Sequence, residues 1–428
     1  MVALWLSNGG LHTVGGAGAA AITVGRLTGL VAADLLLLQV LLMARIPWLE
    51  RGYGQDVLAH RHRQVGFVSF WLMAAHVGLV TIGYARQADA GIVDQAWTLL
   101  TAYPGMLLAA AALALFVAVV GLSLRAARRR LRYESWHLIH LYAYLGVGLV
   151  LPHQIWNGAD FTASAGARAY WLAMYGATLA TVVVFRIGVP LGRTLYHRFR
   201  VAAVVPEAPG VTSVYLAGRR LDRLPARAGH FFLWRFADGP GWSRAHPFSL
   251  SAMPGPDRLR ITAKAVGDGS ARLAALSPGT RVFVEGPFGA MTAVTRRQRK
   301  VLLVAAGIGI TVLRALLEDL DYEPGDATLL YRIRRRQEAV FHDELGGLVR
   351  ARGVRVIYAE GPRRSADSCL PEGFSDLPDG DALRRLVPDL AHHDAYLCGP
   401  PPWMEAARRA LREAGVPAKR IHVERFGW

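Results

Sequence analysis

At 428 residues the chain exceeds one ordinary domain and accommodates two or three. Apolar residues make up 53% and charged residues only 19%, and the apolar excess sits before about position 195; beyond it the chain reads as a soluble α/β protein. The net charge of +17 does not point to nucleic acid, because no basic stripe carries interleaved aromatics and many arginines flank apolar segments, as membrane topology produces. Two distant cysteines, Cys369 and Cys398, exclude a disulfide framework and a cysteine metal site, and Met1 to Gly10 lack the basic n-region of a cleavable signal peptide.

A spanning helix needs roughly 20 mostly apolar residues. Five segments qualify, at about 24–44, 64–84, 104–124, 137–155 and 169–190. Arginines cluster at alternate junctions: Arg45, Arg51, Arg61 and Arg63 before the second, Arg125, Arg128, Arg129, Arg130 and Arg132 between the third and fourth, and Arg193, Arg198 and Arg200 after the fifth. The intervening loops, about 85–103 and 156–168, hold few basic residues. The arginine-rich side is cytoplasmic by the positive-inside rule, which puts the soluble half in the cytoplasm and the start of the chain outside. An odd helix count with an external start leads to the expectation of one further span ahead of Met1.

His62 and His76 fall on the second span and His140 and His153 on the fourth, and these spans run in the same direction. At 1.5 Å per residue the pairs are separated by ~21 Å and ~20 Å along their helices. Two helices thus offer two facing histidine pairs stacked across a bilayer, which is what two planar porphyrins with axial imidazoles require, one near each surface. Histidines that serve packing are the alternative, and His60 and His137 are alternatives to His62 and His140. A spacing of 14 returns nearly to the same helix face, whereas 13 falls about 140° short, so the fourth span must depart from ideal geometry, with Pro152 as the expected cause. Arg26, near the outer end of the first span, reads either as an arginine reaching for the interface or as a cation beside the outer haem. Asp34 lies deeper and has no assigned role.

From about 201 to 298 short apolar–polar alternations recur between glycines and prolines: Val201 to Val205, Val214 to Leu216, His230 to Phe236, Leu259 to Lys264 and Val282 to Val284. This predicts a small antiparallel β-barrel. It contains His246-Pro247-Phe248-Ser249-Leu250-Ser251 and the turn Gly267-Asp268-Gly269-Ser270, followed by a short helical stretch, Ala271 to Leu276. Alone, that turn reads as a plain turn or a phosphate-facing one. After about 299 the pattern becomes strand, glycine turn and helix: Val301 to Ala306, Gly307-Ile308-Gly309, then Thr311 to Leu320, the arrangement of a dinucleotide phosphate site. The next strand, Thr328 to Tyr331, ends in Arg332, Arg334, Arg335 and Arg336, either a solvated basic loop or a site for a 2′-phosphate that favours NADPH over NADH. A last strand, Ala395 to Leu397, leads to Cys398-Gly399-Pro400 and a helix.

These elements, in this order, resemble the transmembrane NADPH oxidases and ferric reductases, of prokaryotic type, and the soluble half resembles the ferredoxin–NADP reductase module. The resemblance runs from about Arg26 to Phe426 and rests on the two histidine pairs, HPFSLS, GDGS, the Glu285 to Gly289 stretch EGPFG, GIGIT and CGPP. It implies that His246, Pro247, Phe248 and Ser249 contact the flavin ring and ribityl chain, and that Lys264, Gly269 and Ser270 hold the diphosphate. It also implies that Gly307, Gly309 and Thr311 hold the nicotinamide dinucleotide and that Cys398 lies near the nicotinamide. In the same way it implies that Phe426 stacks on the isoalloxazine until nicotinamide displaces it, and that Arg26 stands beside the outer haem. Departures are Val312 where the family has proline, Gly427 and Trp428 after the stacking aromatic, the lack of a calcium-binding loop, and Val80 where the oxidases carry an outer-side histidine one turn beyond the second haem ligand.

The resulting expectation is a multi-domain chain: an α-helical transmembrane bis-haem bundle over 1–195, an antiparallel β-barrel FAD-binding domain over 196–298, and a doubly wound α/β nucleotide-binding domain over 299–428. Its cofactors are FAD, two b-type haems and NADPH, with Gly399 and Pro400 in the nucleotide site. It sits in the cell membrane and passes electrons from cytoplasmic NADPH to an outer acceptor, O2 giving superoxide first, a ferric or other metal chelate second. A haem-binding sensor or assembly partner with an inactive reductase half is the reading from another class.

Overall fold

The computed structural model describes residues 1–11, 15–124, 133–162 and 164–425. The arginine run from Arg125 to Arg132, Phe426 and Trp428 lie outside the described residues. The chain divides into two compact units, one of Met1–Leu49 and Gln55–Ile187, the other of Glu50–Gly54 and Gly188–Trp428.

The first unit is helical: α1 (Val2–Ser7), α2 (Ala17–Leu42), α4 (Gln55–Gln87), α5 (Ile92–Ala102), α6 (Met106–Ser123), α7 (Tyr133–Trp156), α8 (Ala159–Thr162) and α9 (Ala165–Val182), with α3 (Pro47–Tyr53) at the division between the units. Among the described residues, five helices are long and apolar enough to cross a membrane: Ala17–Leu42, Val57–Gln87, Met106–Ser123, Leu138–Trp156 and Ala165–His197. The last runs through a π-helical stretch, Val183–Gly188, into α10 (Val189–His197), so it is longer than its apolar core alone suggests. The 85–103 segment, read from sequence as a loop, contains α5; Val93 and Trp97 on it are 80% and 67% exposed, an apolar surface suited to a bilayer interface rather than a span.

Glycines set the closest helix packing. Gly25 and Gly29 on α2, four residues apart, let α4 approach so far that a Cβ at Gly25 would lie 2.8 Å from Val80 Cγ2. On the other side of α2, Trp5, Leu30, Ala33, Leu37, Phe161 and Trp171 form a buried cluster in which Phe161 stacks on Trp171 at 4.1 Å.

The second unit opens with two three-stranded antiparallel sheets. The first has the order β1 (Arg200–Ala208), β2 (Val211–Ala217), β5 (Arg258–Lys264); the second has β4 (His246–Ser249), β3 (Phe231–Phe236), β6 (Val282–Phe288). Single bridges, Arg200 to Arg281 and Leu250 to Ile261, join their edges, so among the described residues the predicted barrel is two sheets rather than one continuous ladder. Alternate side chains, including Phe199, Leu216, Phe232, Trp234, Leu250 and Ile261, fill the space between them. The helix after β5 splits into α11 (Asp268–Ala271) and a 3-10 turn, Arg272–Ala275.

The remaining part is a five-stranded parallel sheet of order β11 (Ile421–Arg425), β10 (His393–Gly399), β7 (Lys300–Ala306), β8 (Ala327–Ile333), β9 (Arg355–Glu360). Along β7, Val301, Leu303 and Ala305 join one core with α12 (Ile310–Asp319) and α13 (His342–Arg352). Leu302, Val304 and Ala306 join another with α14 (Asp379–Leu386) and α15 (Pro401–Glu413). Both faces are covered, which explains why β7 reads as a continuous apolar run.

Candidate functional site

In the helical unit, His62 and His140 face each other with ring centroids 5.9 Å apart, and His76 and His153 do so at 6.3 Å. Two metal–nitrogen bonds of about 2 Å plus half a ring on each side give roughly 6 Å between centroids, so each pair would fit one metal ion held between its two rings. Pro152, the expected source of the departure from ideal spacing, lies inside α7, where it lacks the N–H that would bond the carbonyl four residues back. His60 is exposed, and the side chain of His137 lies outside the described residues.

The other imidazole nitrogens are engaged. His62 Nδ1 lies 3.0 Å from Gln39 O and His76 Nδ1 lies 2.8 Å from Gly25 O, so Nε2 is the nitrogen each ring has left for a metal. Metal-binding histidines characteristically donate their second ring N–H in this way. On α7, Nδ1 of His140 is 3.4 Å from Ser123 Oγ, which also accepts from Trp136 Nε1 at 3.2 Å. Nδ1 of His153 is 3.4 Å from Asn157 Nδ2, itself a donor to Pro104 O at 2.6 Å. Arg26 reaches Tyr84 Oη at 3.4 Å, and Asp34 accepts from the Tyr170 hydroxyl at 2.6 Å. That partner for Asp34, 136 positions away, had no signal in the sequence.

In the second unit, β4 carries His246 to Ser249 along the edge of its sheet. His246 packs directly on Gly269, where a Cβ would lie 2.3 Å from the ring, so β4 and the GDGS turn meet at one place. Ser270 Oγ accepts from Val266 N and Gly267 N at 3.0 and 3.2 Å; it builds the turn rather than pointing away from it. Trp242, Arg244, Gly241, Leu273 and Arg272 line the same cleft. Arg272 is held by Asp238 at 2.6 Å, and Lys264 at the end of β5 is exposed.

The parallel sheet reverses its winding between β7 and β10, and in such sheets ligands bind at the carboxyl ends of the strands flanking that point. Gly307 to Gly309 leave β7 there, and Cys398, Gly399 and Pro400 leave β10. Gly309 has no room for a side chain, since its Cβ would stand 2.2 Å from Cys398 O, and Thr311 Oγ1 caps Ile308 O at 2.9 Å. Cys398 is fully buried; burial first, then the charge of Glu424, pushes its thiol well above the usual value. At the end of β8, Arg332 donates to Gly361 O at 3.3 Å while its buried Nε has no partner among the described residues. Burial, then the charges of Arg334 and Arg363, holds its guanidinium below its ordinary value. Arg334 and Arg335 are exposed, and Arg336 lies over the Tyr358 ring at 4.2 Å.

Two buried polar hubs escaped sequence reasoning. Arg260 on β5 donates to both oxygens of Glu344 at 2.6 and 3.0 Å, and Glu344 also pairs with Arg314 of α12 at 2.7 Å. Asp394 accepts from the backbone of Arg297 and Gln298 and lies 2.9 Å from His422 Nε2, pinning the segment that leads into β7. Neither hub has a local signature, because each joins residues far apart in the chain.

A helical bundle fit to cross a membrane, joined to a sheet pair and a parallel sheet with a nucleotide-type switch point, defines a membrane-embedded, NAD(P)H-dependent flavoprotein oxidoreductase. Residues 28–151 match the ferric reductase like transmembrane component. The chain is 32% identical over 247 residues to the ferredoxin reductase component of 3-ketosteroid-9-alpha-monooxygenase of Mycolicibacterium smegmatis, covering 55% of this chain and 67% of that protein. It is 32% identical over 259 residues to a flavohemoprotein of Bordetella pertussis, covering 55% and 62%. Among solved structures, the flavohem-like FAD/NAD-binding domain of nitric oxide dioxygenase from Vibrio cholerae aligns with a TM-score of 0.42 at 22% identity, over 54% of this chain and 99% of that one. The chain belongs to the ferric reductase-like transmembrane oxidoreductases that carry a ferredoxin-reductase-type flavin and nicotinamide module.

Proposed function

We propose that this enzyme carries electrons from cytoplasmic NADPH through FAD and two b-type haems to an acceptor on the outer side of the cell membrane. The observation that carries this reading is the pair of facing histidine couples, at 5.9 and 6.3 Å. The chemistry supplied by the bound groups is hydride acceptance from NADPH at the flavin and one-electron relay through the haems. His62 with His140, and His76 with His153, hold one haem each, and the Gln39 and Gly25 carbonyls orient two of the four rings. His246, Pro247, Phe248 and Ser249 bind the flavin ring and ribityl chain, and Lys264 with the turn at Gly269 and Ser270 binds its diphosphate. Gly307, Gly309 and Thr311 bind the dinucleotide, Gly399 and Pro400 with Cys398 bound the nicotinamide, and Arg332 and Arg334 take the 2′-phosphate. The resemblance assigns Phe426, which lies outside the described residues, to covering the flavin face. Arg26 supplies a cation beside the outer haem. The arginines Arg45, Arg61, Arg63, Arg198 and Arg200 support the cytoplasmic placement of the reductase half.

O2 is the first-choice acceptor: each NADPH gives NADP+, a proton and two electrons, which reduce two O2 to two superoxide ions. Val80 favours the second reading, ferric chelate reduction, because it packs against Gly25 where the resembled oxidases carry an outer-side histidine. The test is NADPH oxidation by the full chain in detergent with FAD. Superoxide dismutase-sensitive dye reduction supports the first reading, and dismutase-insensitive reduction of a ferric chelate supports the second. Failure of NADPH to reduce the haems overturns both.

A further inference from the structure

We propose that the outward face of α10 and the loop between β2 and β3 form one binding surface for anionic phospholipid headgroups of the bilayer. This rests only on membrane embedding and not on which acceptor takes the electrons.

The position follows from length. The last candidate span has 33 residues, which at 1.5 Å per residue is ~50 Å. The hydrocarbon core is about 30 Å thick, and a tilt of about 20° absorbs only a few ångströms. The final turns of this helix therefore reach the headgroup layer. Their two faces differ. Thr194 Oγ1 accepts from Val284 N at 3.2 Å, Arg193 donates to Gly286 O, and His197 is buried, so this side is fastened to the sheet pair. Leu191 and Leu195, one turn apart on the opposite side, are 51% and 63% exposed.

The β2–β3 loop is locked to the end of this helix. His197 Nδ1 lies 2.9 Å from Arg219 O, and Arg219 N donates to His197 O at 2.6 Å. From the loop, Arg220 and Arg223 both donate to the Tyr196 hydroxyl, at 3.2 and 3.1 Å. Two cations thus converge on one hydroxyl oxygen, and Arg220 lies in the left-handed region at φ +52° at the start of the short turn Leu221–Arg223. Each guanidinium has five N–H donors and the phenol uses one of each; both arginines are exposed, so further donors remain for an anion. Arg198 and Arg219 are exposed alongside, and Asp222 is the one carboxylate within the 219–223 loop. Arg200 is occupied with Gly279 O. Paired arginines beside exposed leucines match a phosphodiester above an acyl chain, and planar guanidinium forks suit phosphate oxygens better than point charges do.

The experiment uses the full chain, loaded with FAD, in detergent and in nanodiscs. Phosphatidylglycerol retained by the detergent-solubilised protein is counted by native mass spectrometry, with phosphatidylcholine as the neutral comparison. The wild type should retain phosphatidylglycerol over phosphatidylcholine. R220Q/R223Q should lower that retention at least fivefold, and R220K/R223K should restore it only in part. R258Q, an exposed arginine on β5, should leave it unchanged. Millimolar inorganic phosphate should not displace the lipid; displacement would make this a free-phosphate site and overturn the lipid assignment. Equal retention by wild type and R220Q/R223Q also overturns it. If the double variant does not fold, the wild type decides alone: its melting temperature must be higher in phosphatidylglycerol than in phosphatidylcholine nanodiscs, and absence of that difference overturns the proposal.

Discussion

A Cβ on Gly29 would stand 2.5 Å from Nδ1 of His76, so α2 presses against this imidazole with only a hydrogen atom between them. The same contact line includes the 2.8 Å approach of His76 Nδ1 to Gly25 O. Gly29→Val should push the ring out of its pair with His153. The haem-to-protein ratio, measured as pyridine haemochrome, should fall from two toward one. A ratio that stays at two would show that His76 is not a ligand or that α2 yields freely.

Direct removal of the imidazole asks the same question without steric strain. His76→Leu should lose one haem and leave the other reducible by dithionite, because His62 and His140 form a separate pair at 5.9 Å. A variant with its full haem complement contradicts the pairing.

The Arg260–Glu344–Arg314 hub joins the sheet pair to the parallel-sheet part within the second unit. Burial raises the Glu344 carboxyl, but hydrogen bonds and charge from Arg260 and Arg314 outweigh it and hold it below the ordinary value of 4.5. Above that value the carboxylate is charged in both folded and unfolded chains and its stabilising contribution is complete. As pH falls below 4.5 toward the folded value, the unfolded carboxyl takes up a proton first and the contribution is lost. Glu344→Gln should therefore cost about 3 kcal/mol at pH 7, since it leaves the buried Arg260 without its anion while Arg314 keeps Glu318. It should also flatten the acid limb of the melting curve. Identical acid limbs in the two proteins would refute this account.

Arg332 sits half-buried beside the charges of Arg334 and Arg363, and its Nε has no partner among the described residues. An anion at this point relieves that crowding. Preference for NADPH over NADH, as the ratio of kcat/KM values, should be at least about tenfold, since one charge-assisted contact contributes roughly 1.5–3 kcal/mol. Arg332→Ser should remove most of it while leaving kcat/KM for NADH within about twofold. Equal efficiencies in the wild type would place the 2′-phosphate elsewhere.

Cys398 is fully buried and its thiol is raised by burial and by Glu424; Cys369 is buried too and is raised by burial and by Asp379. Neither thiol should react with iodoacetamide at pH 7.5 in the folded chain, and both should react after unfolding, as counted by intact mass. Modification of Cys398 in the native protein would mean that the end of β10 opens.

Local sequence was enough to show which segments must leave water and to name candidate residues for the chemistry. Apolar runs of spanning length located the five candidate spans found among the described residues, and the spacings of His62 from His76 and His140 from His153 singled out the histidines that the structure brings face to face in two pairs. Alternation and glycine turns located most strands of the second unit, and the continuous run from Val301 to Ala306 announced a strand covered on both faces. These features are local, and local periodicity states what a residue's environment must be. What it cannot state is which distant residue supplies that environment. Asp34 meets Tyr170 and Arg260 meets Glu344 only because whole helices and strands are brought together. The 85–103 segment read as a loop, yet it contains α5, whose Val93 and Trp97 remain exposed in the chain itself. Tertiary packing decided these pairings because a buried charge or hydroxyl is stable only where its partner arrives at hydrogen-bonding distance, and that distance is a property of the assembled elements rather than of any one of them.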